Sequence, residues 1–312
     1  MRASVSKDGQ EQRPFIASVL RDAWALQAKA PQDEAERVAP LDDTPNRAGS
    51  LPIAGAPLAR TAPHVTIRGL SKRFPDAVIY DNFDLDLPRG KLISVFGPNG
   101  CGKSTLINMI AGLFPRDAGE VLFDGKPLKD IKFGYVFQNY REALFPWLHA
   151  FDNIAYPLKL MGLPKAERTR RVEQLVAHLD VKIDLNLYPY QLSGGQQQLV
   201  SIMRALVVEP EILFLDEPFS ALDYEMTLFM RAQLQRIFME TATTTVLVSH
   251  DLEEAVYLAD LILLLSRRPA RVADFVAYNA PRPRTDATLS EPEFVHVKAH
   301  CLEVFQREVR KG

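Results

Sequence analysis

From His64 onward, hydrophobic and polar positions follow the rhythms of a folded α/β chain. Phe83–Leu87 alternates strictly between apolar and polar residues, the period of a half-buried strand. His64–Arg68 and Lys91–Phe96 read as further strands, and the second leads through a glycine-rich turn into a helix over Lys103–Leu113. Asp124-Gly125 marks a tight turn between two more strands. Residues 151–207 turn to a helical period, with Val172, Leu175, Val176 and Leu179 forming one apolar stripe. Uninterrupted apolar runs return at Ile212–Leu215 and Thr245–Ser249, each followed by a helical segment. That order predicts a mostly parallel sheet. A last amphipathic helix is expected over about 291–310, with Phe294, Val297, Cys301, Phe305 and Val309 on one face. There is no internal repeat.

Residues 1–63 are different. They hold seven of the 22 prolines, thirteen alanines and two aromatics, Phe15 and Trp24. Such a composition favours an extended segment over a packed one. Ile16, Val19, Leu20, Ala23 and Trp24 recur at helical spacing, so a short docking helix for a partner or a membrane surface stays open beside the loosely ordered tail.

With 47% apolar and 24% charged residues in 312, the chain can bury a sizeable core under an ordinary surface. A net charge of −2 lacks the basic excess of a nucleic-acid binder, so no nucleic acid is expected as a partner. Two cysteines, Cys101 and Cys301, make no disulfide framework and point to a reducing compartment. No apolar run approaches the roughly 20 residues needed to span a bilayer. Lys7, Asp8, Glu11 and Arg13 also interrupt any signal-peptide core near the N-terminus. A role at a membrane would require other subunits to hold the chain there.

Three constellations carry chemistry. Gly97-Pro98-Asn99-Gly100-Cys101-Gly102-Lys103-Ser104 is a complete phosphate-loop pattern between a buried strand and a helix that continues with Thr105. Its glycines let backbone N–H groups wrap an anion at a helix N-terminus. Lys103 adds a cation for the β- and γ-phosphates, and Ser104 a hydroxyl for Mg²⁺. Further on, the strand Ile212–Leu215 ends in Asp216-Glu217. Asp216 suits a metal-holding carboxylate, and Glu217 a base for attacking water; the alternative is that both acids cap the next helix. Between these lies Leu192-Ser193-Gly194-Gly195-Gln196, where a serine and two glycines open a helix that can present N–H groups and a hydroxyl to a second phosphate.

The phosphate loop, the LSGGQ at 192–196, Leu215-Asp216-Glu217-Pro218 and Ser249-His250-Asp251 resemble the ABC ATPase family in order and spacing. The likeness covers residues 64 to about 285. It implies a P-loop NTPase core with a mostly parallel sheet, an antiparallel β subdomain and a helical signature subdomain over about 141–207. Residues 64–312 would then be one ATP-binding domain behind the 1–63 extension. The resemblance also implies that Gln138 contacts Mg²⁺ and water, that His250 holds the γ-phosphate, and that Ser220-Ala221-Leu222-Asp223 crosses between subunits. Phe74 falls where the family stacks an aromatic on adenine, although Phe74 as a core residue, with Tyr80 nearby, remains an alternative. The cofactors implied are ATP and Mg²⁺. One departure is Leu199, where the family commonly has an arginine.

Leu144-Phe145-Pro146-Trp147, Asp152-Asn153-Ile154 and Ala280-Pro281-Arg282-Pro283-Arg284 resemble the nitrate, sulfonate and taurine importer ATPases. The expectation is a head-to-tail homodimer at the cytoplasmic face of a membrane. It would power integral membrane permease subunits and, indirectly, a solute-binding protein. No paired nucleotide domain, coiled-coil insertion or zinc-ligand cysteines suggest the family's soluble branches, and no membrane helices suggest a fused exporter; the alternative is the ATPase of an exporter or of a non-transport process. With 62 residues after His250, the additional regulatory domain of many sugar importers is not expected.

Overall fold

A strand buried on both faces sends alternate side chains into two different cores, and the apolar runs of this chain do so. The computed structural model describes residues 63–220 and 222–311. In chain order come β1 (Pro63–Phe74), β2 (Ala77–Pro88), β3 (Leu92–Phe96), α1 (Lys103–Ile110), β4 (Ala118–Phe123), β5 (Phe133–Val136), α2 (Tyr140–Ala143), α3 (Ala150–Leu160), α4 (Lys165–His178), α5 (Gly194–Leu206), β6 (Ile212–Asp216), α6 (Tyr224–Thr241), β7 (Thr244–Val248), α7 (Leu252–Leu258), β8 (Leu261–Leu265), β9 (Val272–Ala277) and α8 (Pro292–Arg310). Six strands form one sheet in the order β5-β6-β7-β3-β8-β9, parallel throughout except for β9. A second, antiparallel sheet has the order β2-β1-β4.

β3, β5, β6, β7 and β8 are buried at every position, as expected for parallel strands covered on both faces. Leu213, Leu215, Leu247, Ile262 and Leu264 join a core shared with α5, α7 and α8. Ile212, Phe214, Val246, Val248 and Leu263 enter the opposite core with α1 and the inner face of the antiparallel sheet. Because these strands run parallel, the carboxyl ends of β3, β5, β6 and β7 lie along one edge. Ligand sites form at such edges.

Several boundaries differ from the sequence reading. The helix after the phosphate loop stops at Ile110 instead of Leu113, and Gly112 follows with φ +66°. Asp124-Gly125 does turn the chain, but the strands on either side belong to different sheets. β4 pairs with β1, and after a short 3-10 turn β5 pairs with β6. The helical stretch is broken: residues 179–193 are largely irregular, and the stripe on α4 buries Val172 and Leu179 fully while Leu175 and Val176 stay at its margin. The expected extension and its Ile16–Trp24 helix lie outside the described residues.

A buried cation ties the C-terminal segment to the end of α7. Arg284 is 2% exposed, and its guanidinium donates to the carbonyl oxygens of Val256, Tyr257 and Ala259 at the end of α7. It also reaches those of Tyr278 and Ala280, and lies 4.3 Å from the centroid of the Tyr278 ring. Its own amide donates to Gln235 on α6. Burial lowers its pKa to about 10, so it remains charged at neutral pH. Replacing it by methionine keeps much of the stem but strands these carbonyls without donors. Arg284→Met should cost about 2–4 kcal/mol in urea denaturation; an unchanged midpoint would show that the guanidinium does not hold the helix end.

Candidate active site

The loop after β3 is built by close approach. A Cβ on Gly102 would sit 2.5 Å from Ile79 Cγ2 and 3.0 Å from the Tyr80 ring, and Gly102 has φ +117°, so no other residue fits without displacing β2. The Tyr80 hydroxyl donates to the Gly102 carbonyl at 3.0 Å from beneath the loop. On the outer side Arg268, in the turn between β8 and β9, donates through Nε to the Gly100 carbonyl. Lys103 is 7% exposed, and its ammonium bridges the carbonyls of Gly97 (2.9 Å) and Pro98 (3.3 Å) across the loop. The cation is thereby held across the loop of Gly97 to Ser104 and Thr105, the candidate anion cradle. Cys101 is buried within the loop, and that burial raises its thiol pKa.

Asp216 ends β6 and accepts a hydrogen bond from Ser104 Oγ at 2.9 Å. Its carboxyl is pushed up to about 6, first by burial and then by the charge of Glu217, against the hydrogen bond from Ser104. Glu217 adopts a left-handed backbone, φ 47°, while its N–H donates to the Val248 carbonyl of β7 at 2.9 Å. A left-handed residue other than glycine is uncommon and marks a position that its surroundings enforce. Here it turns the two adjacent carboxylates apart. Neither caps the next helix, because Asp223 does so, accepting from the Met226 N–H at 2.8 Å.

Three of the sequence-predicted residues meet at one oxygen. Gln138, just beyond β5, donates through Nε2 to Glu217 Oε2 at 2.7 Å, and His250 Nδ1 approaches the same oxygen at 3.4 Å. Ser193 caps α5 with Gln196 in a reciprocal box: Gln196 N–H donates to Ser193 Oγ at 3.3 Å, and Ser193 N–H to Gln196 Oε1 at 2.9 Å. A Cβ on Gly195 would lie 2.6 Å from Met226 Cγ, so its missing side chain lets α6 pack on the start of α5. Phe74 is 39% exposed at the end of β1 and stacks on Phe114 at 5.7 Å. Tyr80, its alternative, is 1% exposed and is the core residue of the two.

Some contributors gave little signal in the sequence. Gln198 on α5 donates to the Pro218 carbonyl at 2.7 Å, joining the serine-capped helix to the Asp216-Glu217 turn. Tyr135 stands behind Asp216 with its hydroxyl on Asn108 Oδ1 at 2.7 Å. Leu199 is 5% exposed in the larger apolar core, where a hydrocarbon side chain fits. The buried cation nearby is Arg204, which donates to the Ala143 carbonyl at 2.7 Å.

Residues 80–220 match the profile of the family described as ABC transporter. A taurine import ATP-binding protein of Escherichia coli is 38% identical over 235 residues, covering 73% of this chain and 91% of that protein. The chain belongs to the ABC transporter ATP-binding family. It is therefore an ATP-binding, ATP-hydrolysing subunit. A sulfate/thiosulfate import ATP-binding protein of Neisseria meningitidis is 42% identical over 213 residues; the match covers 65% of this chain and 58% of that protein. Among solved structures, a dimeric bacterial ABC transporter cassette superposes with TM-score 0.62 at 29% identity, covering 70% of this chain and all of that one.

The oxygen donors Ser104, Asp216 and Gln138 suit a hard cation. Among the described residues no group of three or more His, Cys, Asp or Glu could hold a metal by itself. Mg²⁺ is commonly bound through one or two carboxylates, with water and phosphate oxygens filling the rest of its octahedron.

The raised Asp216 pKa sets a pH dependence for the nucleotide-free, metal-free subunit. Near pH 4 and below, the carboxyl is protonated whether the chain is folded or not, and burial costs nothing. Between its ordinary value of 3.8 and about 6 the unfolded chain ionises first, so folding stability falls as pH rises. Above about 6 the loss levels off at roughly 3 kcal/mol. Asp216→Asn should therefore be more stable than the parent in urea at pH 7.5 without Mg²⁺, and the advantage should fade towards pH 4. Equal stability at pH 7.5 would contradict a strained, buried carboxylate.

Proposed function

We propose that this subunit powers import of a small oxyanionic solute, of the taurine, sulfonate or nitrate type, through separate membrane permease subunits. The observation that carries the catalytic reading is the convergence of Gln138 and His250 on Glu217, one residue beyond the Ser104–Asp216 pair. In this reading the phosphate loop and Lys103 hold the β- and γ-phosphates, and Phe74 stacks on adenine. Mg²⁺, held by Ser104, Asp216 and Gln138, would offset phosphate charge. Glu217 accepts a proton from the attacking water as the β–γ phosphoanhydride bond breaks. His250 holds the γ-phosphate oxygens, and Gln138 orients the water. The products are ADP and phosphate.

Ser193, Gly194, Gly195 and Gln196 complete the site of a second copy in a head-to-tail homodimer. A dimeric arrangement in a similar cassette supports this part. The permease reading is supported by an exposed aromatic surface on the helical segment that follows Gln138 in the chain. Trp147 is 70% and Tyr190 72% exposed. Phe145 touches both Trp147 and Tyr156, while Tyr188 stacks on Tyr190 at 5.5 Å. Large exposed aromatic clusters mark protein contacts, and a helix of the membrane subunit is the occupant proposed here. In this reading the subunit sits at the cytoplasmic face of a membrane, and a solute-binding protein acts through the permease. No described helix is long and apolar enough to cross a membrane itself.

Two measurements test this. Lys103→Ala and Ser193→Arg should each be nearly inactive, yet mixing them should restore ATPase activity, up to about half the parental rate per heterodimer for independent sites. A confirmed heterodimer without recovery, or a fully active monomeric parent, overturns the shared site. For the solute, cells lacking the subunit should lose uptake of labelled taurine, alkanesulfonate or nitrate. Undiminished uptake of all three overturns the solute class and leaves the ATPase reading intact.

A further inference from the structure

His250 has few restraints of its own. Its side chain is 55% exposed, and among the described residues its polar contact is the 3.4 Å approach to Glu217. Its neighbours are held tightly. Ser249 is 1% exposed, and its hydroxyl donates to Glu254 Oε2 at 2.8 Å while accepting the Asp251 N–H at 3.0 Å. The other oxygen of Glu254 accepts from Arg231 of α6 at 3.1 Å. Both members of this ion pair are about nine-tenths buried, with side-chain exposures of 11% and 10%. Arg231 Nε is buried without a hydrogen-bond partner.

Stability is a weak reason for such an arrangement, since a buried ion pair usually gains little over a well-packed apolar pair. What the pair does is connect. α6 is capped by Asp223, and Met226 in its first turn lies against Gly195. Between one and two turns later the same helix holds the His250 turn through Arg231, Glu254 and Ser249. We propose that the Arg231–Glu254–Ser249 bridge is a positioning device that sets His250 from α6 and couples it to the Ser193–Gln196 end of the same chain. This rests on the shared-site reading above, in which that end serves the partner's nucleotide while His250 serves the chain's own. Movement of the α5 end against one nucleotide would then be felt at the histidine over the other. Glu254, Arg231 and Ser249 are buried and bonded to one another, and they act through His250.

The test uses the full-length chain with Mg²⁺ and ATP. Glu254→Gln and Ser249→Ala are made alone and in combination with His250→Ala. Ser249→Ala leaves the ion pair intact and carries the test if Glu254→Gln does not fold. Each single variant is expected to lower kcat about tenfold while the affinity for a fluorescent ATP analogue stays within about twofold of the parent. In the His250→Ala background neither should lower kcat further, because the group they act through is already gone. Losses that multiply in the double variants, or single variants with kcat within about twofold of the parent, overturn the bridge. Parental activity in His250→Ala alone overturns the catalytic reading of the histidine, and the bridge with it. Failure of the Lys103→Ala and Ser193→Arg mixture to recover, with the two bridge variants still silent behind His250→Ala, would remove the shared site and the coupling but keep the positioning role.

Discussion

Parallel pairing of β3 with β7 and β8, and of β6 with β5 and β7, is the constraint on which the rest of this molecule depends. Strands buried on both faces cannot shift register without dragging large side chains out of two cores at once. Their carboxyl ends are therefore fixed relative to one another, and every candidate group at the sheet edge hangs within a few residues of such an end. The 2.9 Å contact of Ser104 with Asp216 spans two strands that are not neighbours. It exists because β7, between β3 and β6, holds both in register. A flexible scaffold would lose that alignment first.

How much of this the sequence disclosed depended on whether a property is local. The phosphate loop could be read because its physics is contained in eight consecutive residues: glycines for close approach, a cation, a hydroxyl and a helix start. The serine cap of α5 was equally local. Ile212–Leu215 revealed a buried strand because it lacks alternation, and the acids at its end followed. By contrast, Arg268 at the Gly100 carbonyl and Gln198 at the Pro218 carbonyl join segments 168 and 20 residues apart. Neither side chain has a pattern around it that announces its partner. The Asp124-Gly125 turn was found, but sheet membership is a tertiary choice that no turn encodes. Leu199 shows the same limit. As a departure from a pattern it suggested a lost cation, while the structure gives it an apolar surrounding and places a buried arginine at 204.

The edge also contains opposing tendencies. Burial that fixes Asp216 raises the cost of its charge, and the left-handed backbone at Glu217 is less favourable than an ordinary turn. These costs fall on the two residues that a metal and a water would engage, and the well-packed strands around them offset the cost.

Arg284 carries a consequence for the order in which the chain is assembled. Its partners at the end of α7 lie 25 to 28 residues earlier. On the ribosome, synthesis passes the His250 turn and all of α7 well before the donor that satisfies those carbonyls exists. During that interval the helix behind the histidine has unpaired groups and an incomplete core. Translation past residue 284 is thus a threshold for completing the sheet edge, and a nascent chain halted short of it would carry the phosphate loop, Ser193–Gln196, Asp216-Glu217 and His250 without a finished support for His250.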